Sequence, residues 1–156
     1  MISLALYQPD IPQNTGAAIR LCACLGVGLD IIEPCGFRWD KKKIRQSALD
    51  YFDAVDLTKY INWENFYQTS RERGRRIVLM TNKTRHYHID FQFRPDDILL
   101  AGRESAGVPD SVHQACDERM AIPMRPGMRS LNVITASAMC LNEALRQTET
   151  FHSFKG

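Results

Sequence analysis

Ile98-Leu99-Leu100-Ala101-Gly102-Arg103-Glu104-Ser105-Ala106-Gly107-Val108-Pro109 is the stretch on which the fold turns. A related pattern follows further on, Ala121-Ile122-Pro123-Met124-Arg125-Pro126-Gly127-Met128-Arg129-Ser130-Leu131-Asn132. An apolar run that breaks at glycine reads as a buried strand opening into a loop at its carboxyl edge. That happens twice here, and each loop is shaped by Gly and Pro with polar side chains along its rim. A long apolar run to Arg146 follows, read as a helix. Strand-end loops beside a helix build a ligand pocket of the kind found at the carboxyl edge of open α/β sheets.

Working outward, Ile2 to Tyr7 reads as a buried strand and Gln8 to Gln13 as a loop fixed by Pro9 and Pro12. Asn14 or Thr15 is the expected N-cap of a helix running to about Leu25, closed by Gly26. Leu29 to Ile32 and the end of Tyr51 to Leu57 supply the next strands. A short helix over Trp63 to Arg73, closed by Gly74, leads to a strand at Ile77 to Met80. Strands alternating with helices predict a mostly parallel sheet with helices on both faces.

At 156 residues, with 44% hydrophobic and 24% charged residues, the chain has the make-up of one globular domain with a sizeable core. No run approaches the roughly eighteen apolar residues of a membrane span, and no signal peptide is evident, so the expected address is cytoplasmic. Cys22, Cys24, Cys35, Cys116 and Cys140 form no Cys-x-x-Cys pair, which argues for buried free thiols rather than a zinc site or disulfide framework. His86 and His88 lack a third ligand nearby and read as a surface loop. The chain contains no G-x-G-x-x-G, Walker loop or nucleophile elbow.

Twenty basic residues against 18 acidic ones make the chain only weakly basic, so the distribution of charge matters more than the sum. Phe37-Arg38-Trp39-Asp40-Lys41-Lys42-Lys43-Ile44-Arg45 places two aromatics among five cations. It reads either as a solvated helix start capped by Asp40 or as a phosphate-contacting edge with rings for stacking. Arg71, Arg73, Arg75 and Arg76 form a second basic cluster.

Asn14-Thr15-Gly16 with Arg20, Gly102-Arg103-Glu104-Ser105-Ala106-Gly107-Val108-Pro109, Ile122-Pro123-Met124 and Ser130-Leu131-Asn132, in that order, resemble the motifs of the SPOUT RNA methyltransferases. Leu6 to Gly16, Ile31 to Asp40 and Leu49-Asp50-Tyr51 are similar to the TrmL-type subgroup, and the likeness covers nearly the whole chain. It implies a single α/β domain over 1–156 with a C-terminal trefoil knot, roughly 78–147, that binds S-adenosylmethionine. The implied reaction is methyl transfer to the ribose 2′-hydroxyl of the tRNA wobble nucleotide, cytidine or uridine 34, with leucine tRNAs as the expected substrates. The alternatives are the same chemistry on ribosomal RNA, or a catalytically silent RNA-binding dimer.

Carried over position by position, the resemblance assigns cofactor binding to Met80, Thr81, Gly102, Glu104, Ile122, Met124, Ser130 and Leu131. It makes Arg20, Asn14, Glu104 and Asn132 the catalytic set. A guanidinium stays protonated, so Arg20 is expected to bind phosphate and stabilise the developing oxyanion rather than act as a base. Asn14 and Asn132 would orient ribose or hold loops, and Glu104 would anchor loop amides or Arg20. In this setting Arg38, Lys41, Lys42 and Arg45 are expected to contact the anticodon stem-loop. Arg125 and Arg129 would touch RNA or close over the cofactor, and Trp39 could equally be core packing. The run after Asn132 is expected to pack at a two-fold homodimer interface. Three positions depart from the family pattern: Arg103 where Pro is frequent, Ile134 where Ser is frequent, and Asn142 where an aromatic is frequent.

Overall fold

A computed structural model describes residues 1–155. Six parallel strands form one sheet: β1 (Ser3–Tyr7), β2 (Gly28–Ile32), β3 (Leu57–Tyr60), β4 (Ile77–Met80), β5 (Ile98–Ala101) and β6 (Glu118–Met120), in the order β3-β2-β1-β5-β4-β6. The helices are α1 (Pro12–Leu25), α2 (Lys41–Ala48), α3 (Trp63–Glu72), α4 (Asp110–Ala115) and α5 (Val133–Gln147). Among the described residues no helix is long and apolar enough to cross a membrane.

Side chains alternate across the sheet, and both faces are covered, which is why the central strands read as unbroken apolar runs. Leu4, Leu6, Leu29, Ile31, Val78, Leu99 and Ala101 pack with Ile19 and Cys22 of α1 and with Leu141, Ala144 and Leu145 of α5. Ala5, Tyr7, Ile32, Ile77, Leu79, Ile98 and Leu100 pack on the other side with Phe66 of α3 and Val112 of α4. The edge strands β3 and β6 are short and partly polar, and there the sequence reading slips. β3 starts at Leu57, where the strand had been expected to finish, because Leu49–Ala54 winds into a 3-10 turn. β6 lies just before the Ala121 run rather than in it, since an edge strand needs few apolar residues.

The start of α1 also differs from expectation. Asn14 and Thr15 lie inside the helix, whose N-cap is Ile11 with Pro12 in the first turn. Proline's fixed φ and missing N–H suit that position, so the helix begins earlier than a polar cap would suggest. Asn14 is thereby released from capping. Gly26 at φ +63° closes α1 as expected, and Asp40 caps α2 through the amides of Lys42 and Lys43.

The second basic cluster serves the scaffold. Arg71 forks onto Asp117, Arg75 reaches the carbonyls of Met1 and Asp96, and Arg76 forks onto Asp97. Asp97 is fully buried and also accepts from the Arg94 amide at 2.8 Å. It therefore ties the starts of β4 and β5 together. His88 is buried, not on a surface loop: its amide donates to Ala121 and the segment continues the β4–β6 pairing through Tyr87.

Removing one partner of a buried, hydrogen-bonded ion pair strands the other charge. Asp97→Ala should destabilise the domain by about 3–5 kcal/mol, read as a lowered urea midpoint; a shift within error of zero would show the pair to be dispensable.

Candidate active site

One cavity of about 600 Å³ opens at the carboxyl edge of the sheet. Its walls are the loops after β4, β5 and β6, the entry to α1 and the first turns of α5. This edge, beside the point where chain connections diverge from neighbouring strands, is where open α/β sheets hold ligands. All eight residues expected to bind cofactor line it: Met80, Thr81, Gly102, Glu104, Ile122, Met124, Ser130 and Leu131. Asn14 and Asn132 line it too.

Gly102 is required by close packing. A Cβ there would sit 2.7 Å from Gly107 Cα, in a tight loop closed by reciprocal Arg103 and Gly107 backbone hydrogen bonds of 2.9 Å. Gly107 takes φ +64°, a conformation that costs glycine little. The loop so formed brings Glu104 back over β1's exit.

Glu104 is the meeting point. Its Oε2 accepts from the Asp10 amide at 2.9 Å and its Oε1 from Asn14 Nδ2 at 3.2 Å. Asn14 Oδ1 in turn accepts from Asn132 Nδ2 at 3.2 Å, while Asn132 Oδ1 caps α5 through the amides of Ile134 and Thr135. Of the two partners expected for Glu104, the loop amide is found; no bond to Arg20 is. Burial, with the neighbouring Asp10 carboxyl, raises the Glu104 pKa. Hydrogen bonding with Glu104 and Ser105 lowers that of Asp10. The pair thus divides into one carboxylate that ionises early and one that holds its proton longer.

Arg20 lies outside the cavity wall. It is exposed on α1 with its guanidinium 5.1 Å from the centre of the Tyr51 ring. Six residues along a helix from Asn14, it points about 120° away. Arg38, Lys41, Lys42, Arg125 and Arg129 are exposed outside the cavity, and Arg45 is engaged by Asp53 and the Phe52 ring. Trp39 is half-buried against the core with Lys59 over its face. Arg103, expected from its departure from the family pattern to add a cation near cofactor or RNA, lines the cavity, whereas Ile11, Lys83 and Cys140 were missed. Lys83 belongs to the polar exit of β4, which carried a signal; the buried Cys140 on α5 carried none.

The SpoU rRNA Methylase family matches residues 1–142. The chain belongs to this family. The chain is 56% identical over 144 residues to a tRNA (cytidine(34)-2'-O)-methyltransferase of Beijerinckia indica subsp. indica, covering 92% of this chain and 90% of the relative. A solved structure described as "Structural insights into the 2-OH methylation of C/U34 on tRNA" superposes with a TM-score of 0.90 at 36% identity, covering 96% and 97% of the two chains. The SpoU methyltransferase AviRb of Streptomyces viridochromogenes in complex with AdoMet superposes with a TM-score of 0.84 at 26% identity, over 96% of this chain and 61% of that one.

A carboxyl group whose pKa is raised in the folded state contributes stability below its unfolded pKa and loses it as pH rises through the folded value. Above about pH 5 Asp10 is ionised in both states, so Glu104 dominates the local pH dependence. The melting temperature of Glu104→Gln relative to the parent should therefore climb as pH rises above the unfolded glutamate pKa of about 4.3; a difference that does not vary with pH would contradict the raised pKa.

Proposed function

We propose that this chain transfers a methyl group from S-adenosylmethionine to the ribose 2′-hydroxyl of cytidine or uridine at the wobble position of tRNA. The observation that carries the reading is the convergence of Asn14, Asn132 and the eight expected cofactor residues on one cavity. Its volume, apolar floor and polar rim suit a ligand of nucleoside size. Ile122 and Met124 offer an apolar slot for adenine, Gly102 lets backbone approach the ligand, and Ser130 and Thr81 supply hydroxyls at the rim. When bound, the cofactor supplies an electrophilic methyl carbon on a cationic sulfur.

The protein's share is placement and charge. Glu104 fixes Asn14 and the β1 exit loop, so that the acceptor ribose meets a rigid wall; alignment of this kind supplies much of the rate enhancement of displacement reactions. The hydroxyl proton must leave as the oxygen attacks. A permanently charged Arg20 binds phosphate and stabilises the developing oxyanion, while the hydroxyl proton leaves directly to a phosphate oxygen or water.

Arg20 reaches that position in a homodimer. Gln13, Ala17, Arg20 and Cys24 form one exposed stripe on α1, and Thr135, Met139 and Asn142 lie exposed on α5. Two copies joined over these faces would lend each cavity the partner's Arg20. Arg38, Lys41, Lys42, Arg45, Arg125 and Arg129 are assigned to the anticodon stem-loop. The segment 78–147, which folds its three loops around the cavity, is assigned the trefoil knot. We assign the protein's work to the cytoplasm, a reading that a tRNA substrate and five free thiols support.

Labelled methyl transfer to tRNA from a strain lacking the protein, with leucine isoacceptors tried first, should mark the ribose of nucleotide 34. Label elsewhere, or none while cofactor still binds, would overturn the assignment. Arg20→Ala should cut the rate at least ~100-fold, the cost of losing a positioned charge at a developing oxyanion. Mixing the inactive Arg20→Ala and Glu104→Ala proteins should restore about a quarter of parental activity if the arginine acts across a two-fold axis. No recovery would place Arg20 in its own subunit's site.

A further inference from the structure

Arg103 is a cation of the cavity wall that no assigned role employs. It follows Gly102 on the cavity wall, and its side chain is 32% exposed. A guanidinium carries five N–H donors. Here only Nη1 has a hydrogen bond, a long one of 3.5 Å to Gln8 Oε1, while the buried Nε has none. Its carboxylate neighbour, Asp10, stands off at 3.8 Å and is held instead by Ser105. Asp10 Oδ1 is likewise buried without a partner. This is a fork aimed but not filled.

Its surroundings say what would fill it. Gly36 packs directly against the fork: a Cβ there would lie 2.5 Å from Asp10 Cβ and 3.3 Å from Arg103 Nη2, and its amide donates to the Pro9 carbonyl at 2.9 Å. Gly36 leads straight into Phe37, Arg38 and the exposed Lys41, Lys42 and Lys43. Arg103 therefore stands between the cavity it lines and the segment that leads from Gly36 into the basic cluster. A planar fork with free donors matches a phosphodiester's two non-bridging oxygens.

We propose that Arg103 grips the phosphate flanking the target ribose and so sets the 2′-hydroxyl at the mouth of the cavity. The idea rests on the methyl-transfer reading for its RNA, but its test does not need turnover. Binding of an anticodon stem-loop RNA would be followed by fluorescence anisotropy across a salt series, with S-adenosylmethionine binding measured separately by calorimetry. Arg103→Ala should weaken RNA binding at least tenfold and flatten the log–log salt slope by about 0.7, the loss of one single-strand phosphate contact. Arg103→Lys, a point charge without the fork, should recover the slope and part of the affinity. Cofactor affinity should stay within twofold.

An unchanged salt slope, with altered cofactor affinity or melting temperature, would make Arg103 a structural brace for Asp10 and overturn the proposal. So would a change confined to discrimination between cytidine and uridine, which would mean contact with the base. If Arg103→Ala fails to fold, Arg103→Gln keeps a donor toward Gln8 and carries the same test. A parent protein that transfers no methyl yet shows the Arg103 effect would remove the proposed activity and leave the phosphate contact standing.

Discussion

Three stretches distant in sequence meet through one chain of hydrogen bonds: Asn132 to Asn14, Asn14 to Glu104, and Glu104 to the Asp10 amide. The loop after β5, the exit of β1, the first turn of α1 and the N-terminus of α5 are all held by it. Each polar group satisfies the next, and the cap of α5 hangs on its end. Half-satisfied, such a network would be worse than an apolar contact, because the Glu104 carboxylate would be left partly buried without donors. Cavity and domain core therefore cannot be separated cleanly: the bonds that shape the wall also close the fold.

The sheet divides its labour between its two edges. At the amino edge, Asp97 with Arg76 and Asp117 with Arg71 lock strand starts together, and these carboxylates are paired with their cations in bidentate geometry. At the carboxyl edge the polar groups are looser, with Asp10 Oδ1 and the Arg103 Nε unpartnered in the folded chain. Buried polar atoms left without partners are uncommon, and they gather where a ligand completes the bonding. The cavity lies at the loose edge.

How much of this could be read from residues alone follows from how local each signal is. The central strands were legible because burial on both faces writes a continuous apolar run, and Gly26 was legible because only a left-handed turn could close α1 there. Ile11 was not legible as a cap, since Pro12 starts the helix through its own geometry rather than through a polar neighbour. The edge strands were blurred for want of a core face. The wall residues were found as motifs, but the relay joining Asn14, Asn132 and Glu104 is a product of tertiary packing, and sequence could offer its members only separately. Arg103 stood out as a departure from pattern; its empty fork could be seen only once Gly36 and Asp10 were in place.

Weak net basicity is compatible with a nucleic-acid substrate because pairing sorts the cations. Arg71, Arg76 and Arg146 are held by carboxylates within the chain, so they add little to the outward field. Arg38, Lys41, Lys42 and Lys43 remain exposed around the first turn of α2, with Arg125 and Arg129 on the loop beside Met124 and Ser130. Cations spread evenly would attract any polyanion to any face. Clustered near one cavity, the same number of charges strengthens the local field there. The +2 balance is therefore a poor guide to local charge, because a paired cation and an exposed one count alike in the sum.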